Sequence, residues 1–356
     1  YVPELNVENE TFITVNKILD RESSEKEILA AERKWSELHE KLCNSIGNAR
    51  DTEQDFLNEN IEIIKRSIDK LNVAWNSFRN KEIDMDIFQE QLYVSEIELK
   101  AIFEVELKRF EEKHGEGKYK NRSWKGFMAS YMLTFPTYHL NELEHSIELC
   151  MELKNQMNSE ALHLYQKKTV LLKGRGGMGK THLLCDIVNQ WITKQIPAFL
   201  FFGEQFGINN VSEEILKRLG LEQISFDEFL SFLDEEAERR QCYIPICIDA
   251  LNETIQNDYW NSQLLSLIAL VENCRNIKLL VSCRSIYLKE VLDEDKVSGM
   301  AIVEQKGFEK VEIEAIRQFG EYYGIQLNFD YMMHQEYRNP LYLKMLCEVA
   351  QAQGSL

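Results

Sequence analysis

Hydrophobic residues recur at helical spacing through the first half of the chain. They form four stripes of about three heptads each, separated by polar breaks near residues 48–53, 80–86 and 115–123. This pattern predicts an antiparallel helical bundle rather than one long coiled coil. We interpret the bundle as an arm or interaction surface, because it contains no catalytic constellation and its charged runs suit solvated helix faces. The clearest stripe contains Leu57, Ile61, Ile64, Ile68, Leu71, Trp75 and Phe78.

After Lys167 the periodicity changes, and short apolar runs alternate with amphipathic stretches. Such alternation is typical of a parallel α/β sheet flanked by helices. The candidate strands are residues 169–172, 198–202, 243–248, 278–282 and 301–305. From about residue 311 the chain is helical again. We therefore predict a helical bundle or linker arm, an α/β domain and the start of a small helical domain, at 1–163, 164–308 and 309–356.

The amino-acid composition limits the classes of protein to which the chain can belong. A chain of 356 residues with 44% hydrophobic content suits two or three globular domains. Its net charge of −18 makes direct nucleic-acid binding an unlikely function, since phosphates are neutralised by clustered Lys and Arg. The eight cysteines are scattered without a C-x-x-C pair, as expected for buried thiols in a reducing cytoplasm. No apolar run reaches the roughly 18 residues of a membrane span, and the chain does not open on a charged, apolar and small-residue pattern, so we expect neither secretion nor a membrane span.

The chain begins with Tyr1 and stops at Leu356, just after an apolar helix. We expect it to be a piece of a longer protein.

Residues 174–181 read GRGGMGKT, between an apolar strand and an amphipathic helix. This is the spacing G-x-x-x-x-G-K-[ST] of the phosphate-binding P-loop. Successive backbone N–H groups surround the β-phosphate, Lys180 contacts the β- and γ-oxygens, and the Thr181 hydroxyl faces Mg²⁺. We therefore predict a nucleotide site here rather than a structural glycine turn.

Two further strands end in residues that complete such a site. Asp249 follows the run 244–248 and is the predicted Walker B carboxylate for Mg²⁺, although alone it could simply begin a turn. Glu253 lies four residues later, where a carboxylate could orient or deprotonate the attacking water. Arg284 ends the run beginning at residue 278, where its guanidinium could reach the γ-phosphate.

In this order the motifs resemble the STAND class of P-loop NTPases, and its NACHT-like members in particular, over about residues 164–350. The segments 248–253 (IDALNE) and 339–343 (NPLYL) are most similar to the bacterial antiviral STAND (Avs) proteins. The first seven residues look like the segment that follows the effector domain in such proteins. Asn252 stands where many NACHT members carry an acid, and Asn339 precedes the proline where others have Gly-x-Pro.

The resemblance implies roles for individual residues. Pro340 would lie near adenine, Glu253 would support hydrolysis and Arg284 would sense the γ-phosphate. The catalytic set is then Glu253, Asp249 and Arg284, and the Mg²⁺ ligands are Thr181 and Asp249. The predicted residues that bind ATP or ADP are Gly174, Arg175, Gly176, Gly177, Met178, Gly179, Lys180, Thr181, His182 and Pro340.

The resemblance also implies a function. The chain would belong to an ATP-binding, slowly hydrolysing signalling switch that self-associates when a downstream domain senses a protein trigger, in antiviral defence. Two alternatives stay open. One is a helical interaction module with a structural ADP or ATP site and no turnover. The other is a P-loop small-molecule kinase, which the lack of an arginine-rich lid and of a substrate pocket disfavours.

Overall fold

The computed structural model describes residues 2–51, 58–79, 85–114, 138–157, 167–256, 258–293, 297, 299–325 and 335–353. The chain divides into two compact units. One unit combines Tyr1–Ser24 with Leu164–Leu356, and the other is Glu25–His163. The predicted bundle domain, 1–163, therefore includes 24 residues that group with the α/β unit.

These first residues form a 3₁₀ turn at Pro3–Leu5 and helix α1 (Glu10–Leu19). Asn9 caps α1, because its side-chain oxygen accepts a hydrogen bond of 2.8 Å from the Phe12 N–H. The helix buries one apolar face, formed by Phe12, Val15, Ile18 and Leu19.

The second unit contains most of α2 (Arg21–Asp51), together with α3 (Asn58–Arg79), α4 (Met85–His114) and α5 (Tyr138–Met157). Helix α4 contacts both α3 and α5. The predicted stripes form its core, in which the rings of Trp35 and Trp75 stack at 5.4 Å between centroids. Leu57, which belongs to the clearest stripe, lies outside the described residues. The prediction of an amino-terminal helical region is confirmed.

The α/β unit follows the predicted alternation. Its elements, in chain order, are β1 (Thr169–Gly174), α6 (Lys180–Thr193), β2 (Phe199–Phe202), α7 (Val211–Leu219), α8 (Phe226–Arg240), β3 (Ile244–Asp249), α9 (Tyr259–Glu272), β4 (Ile277–Arg284), α10 (Leu288–Val291), β5 (Ala301–Glu304), α11 (Glu312–Tyr323) and α12 (Pro340–Gln353). The five strands are parallel and lie in the order β2-β3-β4-β1-β5. The predicted parallel α/β fold is confirmed.

Side chains that alternate along the strands supply the two cores of the sheet. Leu171, Ile246 and Val281 face a cluster that includes α7, α8 and α9, whereas Val170 and Leu280 face α6 and α1. Because both faces are covered, the central strands are apolar almost throughout. Strand β1 lies between β4 and β5, and this places the loop after Gly174 beside the ends of both neighbours. The topology therefore brings the predicted site residues to one edge of the sheet.

Two other observations concern the class of protein. Among the helices that the structure describes, none is long and apolar enough to cross a membrane. Cys150, Cys247, Cys274, Cys283 and Cys347 are buried free thiols. Burial raises the pKa of Cys150 to about 12, so this thiol stays protonated at neutral pH.

Candidate nucleotide-binding site

The loop between β1 and α6 exposes its backbone to a ligand. Gly177 and Gly179 have φ angles of 78° and 88°, in the left-handed region that favours glycine. Gly179 is also the N-cap of α6, so the free N–H groups of the first helical turn lie beside the loop. A Cβ on Gly177 would lie 2.9 Å from Asn339 Oδ1, so the Asn339 side chain would have to shift to make room for it. This loop has the backbone geometry that phosphate binding requires.

Lys180 is buried at the start of α6 and holds the loop in shape. Its Nζ donates to the carbonyl oxygens of Gly174 at 2.9 Å and Arg175 at 3.0 Å. Burial lowers the pKa of Lys180, and the nearby carboxylate of Asp249 partly opposes that effect. A phosphate group would add a negative charge beside this ammonium group and replace hydrogen bonds that it now makes to neutral carbonyls.

Thr181 and Asp249, the predicted Mg²⁺ ligands, are brought together. The Thr181 hydroxyl donates to Asp249 Oδ2 at 2.5 Å, and Asp249 is only 2% exposed. Ser282 on β4 donates to the other carboxylate oxygen and accepts a hydrogen bond of 2.9 Å from the Ala250 N–H. Hydroxyl and carboxylate oxygens are the ligands that Mg²⁺ prefers, so Thr181 and Asp249 fit this ion.

Ser282 was not predicted from the sequence as a site residue. Its side chain is completely buried, and it fixes the carboxylate of Asp249 from the neighbouring strand. A signal was present in the sequence, because Ser282 is a polar residue following the apolar run 279–281. A buried hydroxyl needs a partner, and the sheet order β3-β4 supplies it.

Glu253 and Arg284 also meet at this edge. Arg284 Nη2 donates to Glu253 Oε1 at 2.6 Å, and the two side chains are 44% and 42% exposed. The backbone N–H of Arg284 donates to Asn252 Oδ1 at 3.0 Å. The turn that leads from β3 to Asn252 passes through Ala250, whose φ of 57° is unusual for a residue other than glycine.

A cavity of 370 Å³ joins these groups. Its polar end contains the P-loop, Asp249 and the ion pair of Glu253 with Arg284. Its lining also includes His182, whose pKa is lowered by burial, so that the imidazole is neutral at pH 7. Gly174 and Arg175, which belong to the predicted binding set, are not part of the lining and contribute the carbonyls that hold Lys180. The remaining lining is largely apolar and includes Val2, Leu5, Val7, Phe12, Phe308, Phe319, Pro340 and Leu341.

Pro340, which the resemblance implies lies near adenine, lies against the P-loop in the structure. A Cβ on Gly179 would be 3.6 Å from its Cγ. The following residue, Leu341, donates its N–H to the Gly177 carbonyl at 3.2 Å. Helix α12 therefore begins directly on the phosphate-binding loop.

The amino-terminal segment, residues 2–12, supplies another wall of the cavity, and sequence reasoning missed it. Asn9 Nδ2 donates to the Gly307 carbonyl at 2.8 Å and to Gln305 Oε1 at 3.3 Å. Gln318 Nε2 donates to the Glu4 carbonyl at 2.8 Å. The local signal, an Asn just before an amphipathic helix, identifies a cap but not its distant partners.

Comparisons with known proteins bear on this site. Residues 168–319 match the model of the NACHT domain. No curated protein matches the chain.

Among solved structures, the chain is similar to a DNA replication initiation factor, with 14% identity, a TM-score of 0.38, and 53% of this chain and 56% of that chain covered. Cdc6p from Pyrobaculum aerophilum gives 19% identity and a TM-score of 0.33, with 52% of this chain and 56% of that chain covered. AMPPCP-bound DnaA from Aquifex aeolicus gives 13% identity and a TM-score of 0.39, with 53% and 57% covered. The chain thus spans a little over half the length of each of these structures.

The NACHT match covers the P-loop, Asp249, Glu253 and Arg284, which the parallel sheet places around one cavity. Residues 168–319 are therefore a NACHT-like P-loop NTPase domain.

Proposed function

We propose that the cavity binds ATP with Mg²⁺, and that the chain is part of an ATP-controlled signalling switch that hydrolyses ATP slowly. One observation carries this proposal. The cavity beside the P-loop is lined by the ammonium group of Lys180, the Thr181–Asp249 pair and the guanidinium of Arg284. Together they offer a cation, a Mg²⁺ site and a second cation, which suit a triphosphate.

The apolar part of the cavity suits the base. Phe12, Phe308, Phe319 and Pro340 offer apolar surface, as flat aromatic ligands require. A base held there would touch the amino-terminal segment and the helical region after residue 308 at the same time. We propose adenine as this base, since Pro340 is the residue that packs on adenine in the NACHT-like proteins that the sequence resembles.

A switch needs an element with two arrangements that the nucleotide distinguishes. The contacts of α12 with the P-loop, through Asn339, Pro340 and Leu341, supply one such element. Bound ATP would contact the loop, the helices and residues 2–12 together, and would stabilise the arrangement in which all three meet.

Self-association and antiviral defence are part of the same proposal. Ile208, Ile255 and Ile286 are 80%, 68% and 72% exposed, and each follows the carboxyl end of a different strand of β2, β3 and β4. Exposed apolar surface is typical of protein interfaces, and these three side chains follow the same edge of the parallel sheet. A second copy of the chain is the partner we propose, with a protein trigger acting on a downstream domain. The antiviral role rests on the similarity of residues 248–253 and 339–343 to Avs proteins.

Equilibrium binding of ATP, ADP and GTP to the purified chain tests the nucleotide proposal. We expect ATP and ADP to bind about tenfold more tightly than GTP, because an apolar pocket would leave the additional polar groups of guanine without hydrogen-bond partners. EDTA should weaken ATP binding. GTP that binds as tightly as ATP would contradict the proposal of adenine as the base. A protein that binds neither ATP nor ADP would contradict the nucleotide proposal as a whole.

An interaction module without turnover is the second candidate function, because the Glu253 carboxylate already accepts a hydrogen bond from Arg284. A steady-state ATPase assay separates this module from the switch. Turnover that Glu253→Gln abolishes supports the switch. Sizing of the full-length protein with ATP and its trigger tests assembly. Equal assembly of Lys180→Ala would exclude control by ATP.

We expect Asn9→Ala to destabilise the α/β unit by about 3 kcal/mol, from the lost cap and from two lost hydrogen bonds to buried partners. Because residues 2–12 line the cavity, ATP should also bind more weakly to this variant. The matched control is Asn210→Ala, since Asn210 caps α7 through a local hydrogen bond to the Ser212 N–H. It should cost about 1 kcal/mol and leave ATP binding unchanged. Thermal unfolding and ATP titration measure both effects, and equal losses in the two variants would disprove the added role of Asn9.

A further inference from the structure

Gln305 follows β5 and is a buried polar residue in the lining of the nucleotide cavity. Its side chain and backbone together are only 4% exposed. The backbone N–H donates to the Lys173 carbonyl at 2.7 Å, and a Cβ on Gly174 would lie 2.6 Å from the Gln305 carbonyl oxygen. The main chain of Gln305 is therefore held against the end of β1, where the P-loop begins.

A series of hydrogen bonds sets the orientation of the Gln305 side-chain amide. Asn9 Oδ1 accepts a hydrogen bond of 2.8 Å from the Phe12 N–H, so Asn9 Nδ2 faces the other way and donates to the Gly307 carbonyl at 2.8 Å. The same Nδ2 donates to Gln305 Oε1 at 3.3 Å. Because Asn9 presents a donor, Gln305 offers it the amide oxygen, and Gln305 Nε2 is directed elsewhere.

Gln305 Nε2 lies beside the P-loop. A Cβ on Gly179 would be 3.8 Å from this nitrogen. Among the residues that the structure describes, none accepts a hydrogen bond from it. A donor in so deeply buried a residue is costly without an acceptor, and a ligand that brings an acceptor into the cavity would remove that cost.

The sheet order indicates which part of a nucleotide would lie beside Gln305. Strand β1 has β4 on one side and β5 on the other. Asp249 and Arg284, which suit Mg²⁺ and phosphate, end β3 and β4, whereas Gln305 follows β5. Pro340 belongs to the apolar lining, and its Cγ lies 3.6 Å from the Cβ position of Gly179 that Gln305 Nε2 also approaches. The phosphates would therefore extend toward β4, and the nucleoside would lie toward β5.

We propose that Gln305 is a specificity-determining residue for the nucleoside, and that its Nε2 donates a hydrogen bond to an acceptor of the base or of the ribose. Asn9 is a positioning residue, because it holds the amide with this nitrogen toward the cavity. Recognition of the nucleoside then depends on the contact of residues 2–12 with Gly307. A single oriented donor in a largely apolar pocket fixes how a ligand binds. This inference rests on the proposed function, because it requires that the cavity bind the nucleotide.

Binding of ADP and of five analogues, each without one acceptor, tests the contact. The analogues are 1-deaza-, 3-deaza- and 7-deaza-ADP for the base, and 2′-deoxy- and 3′-deoxy-ADP for the ribose. We expect the wild type to bind at least one analogue about tenfold more weakly than ADP, because Gln305 Nε2 then stays buried without an acceptor. The analogue that is affected identifies the acceptor and shows whether it belongs to the base or the ribose.

Two substitutions of Gln305 decide whether this residue causes the loss. Gln305→Met keeps the length of the side chain without its amide, and Gln305→Glu keeps an oxygen for Asn9 while a second oxygen replaces Nε2. In both variants the loss for one analogue should disappear. Gln190→Met is the matched control, since the Gln190 amide donates to Asp186 on the same helix, and it should keep the wild-type order of affinities. Thermal unfolding without nucleotide shows that each variant is folded.

Two results would overturn the proposal. One is a wild type that binds all five analogues as tightly as ADP, and the other is that every loss persists in Gln305→Met and Gln305→Glu. A wild type that does not bind ADP would instead refute the proposed function itself.

Asn9→Asp tests the positioning role. An aspartate still accepts the hydrogen bond from the Phe12 N–H and caps α1, but it presents an oxygen to Gln305. The Gln305 amide would then turn, donate Nε2 to the new carboxylate and direct Oε1 to the cavity. The loss for the same analogue should therefore disappear although Gln305 is intact. A merely structural role would weaken ADP and all analogues by one factor, keep that loss and remove Asn9 from the proposal.

Discussion

Replacing Lys180 with alanine is expected to weaken the binding of ATP with Mg²⁺ by about 100-fold. The ammonium group belongs to the first residue of α6, which is buried and lines the cavity, and it donates hydrogen bonds to the carbonyl oxygens of Gly174 and Arg175 in the P-loop. Losing one partner of a buried, charge-assisted contact costs about 3 kcal/mol, which corresponds to that factor. Titration of the purified variant with ATP measures it directly.

Controls separate lost binding from lost folding. Lys194→Ala removes an exposed lysine from the other end of the same helix, where its Nζ lies over the Trp191 ring at 5.1 Å, and ATP affinity should stay within twofold of wild type. Lys180→Met keeps the length of the side chain without its charge and should bind as weakly as Lys180→Ala. Thermal unfolding without nucleotide shows whether each variant is folded. An ATP affinity within threefold of wild type for a folded Lys180→Ala would show that the P-loop is not the binding site.

Features that could be read from the sequence are those set by neighbouring residues. The P-loop spacing is local, and the parallel strands follow from short apolar runs that end in polar residues. Parallel strands share one carboxyl edge, so Asp249 and Arg284 were expected near the loop that begins at Gly174. This reasoning locates an edge of the sheet but not the contacts along it.

Features that could not be read depend on long-range geometry. Asn9 and Gly307 are separated by 298 positions, and no periodicity relates them. The pairing of Arg284 with Glu253 requires knowing that β3 and β4 are adjacent, which only the sheet order supplies. The role of Ser282 also depends on that order, since its hydroxyl reaches Asp249 from the next strand.

Asp249→Asn should raise the Mg²⁺ concentration needed for half-maximal AMPPCP binding more than tenfold and should lower any ATPase rate by about 100- to 1000-fold. The substitution keeps the shape of the side chain but removes the negative charge that would hold the cation, and its amide cannot accept hydrogen bonds at both positions from Thr181 and Ser282. Thermal unfolding without nucleotide shows whether the variant is folded, because the lost hydrogen bond lowers its stability while the removal of a buried charge acts in the opposite direction. Mg²⁺ titrations at fixed AMPPCP measure the effect, and EDTA gives the metal-free baseline.

Ser282→Ala extends the same test to a residue that would not touch the metal. It leaves Asp249 Oδ1 without its hydroxyl donor and the Ala250 N–H without its acceptor, so the carboxylate is less well oriented. Loss of such an outer-shell partner costs about 10-fold or more in metal affinity, and the shift should be smaller than that of Asp249→Asn. Ser266→Ala, an exposed serine on α9, should change nothing. If Asp249→Asn has the Mg²⁺ requirement of the wild type, Asp249 does not hold the cation. If only Ser282→Ala leaves the requirement unchanged, Ser282 does not contribute and the Mg²⁺ site consists of Thr181 and Asp249.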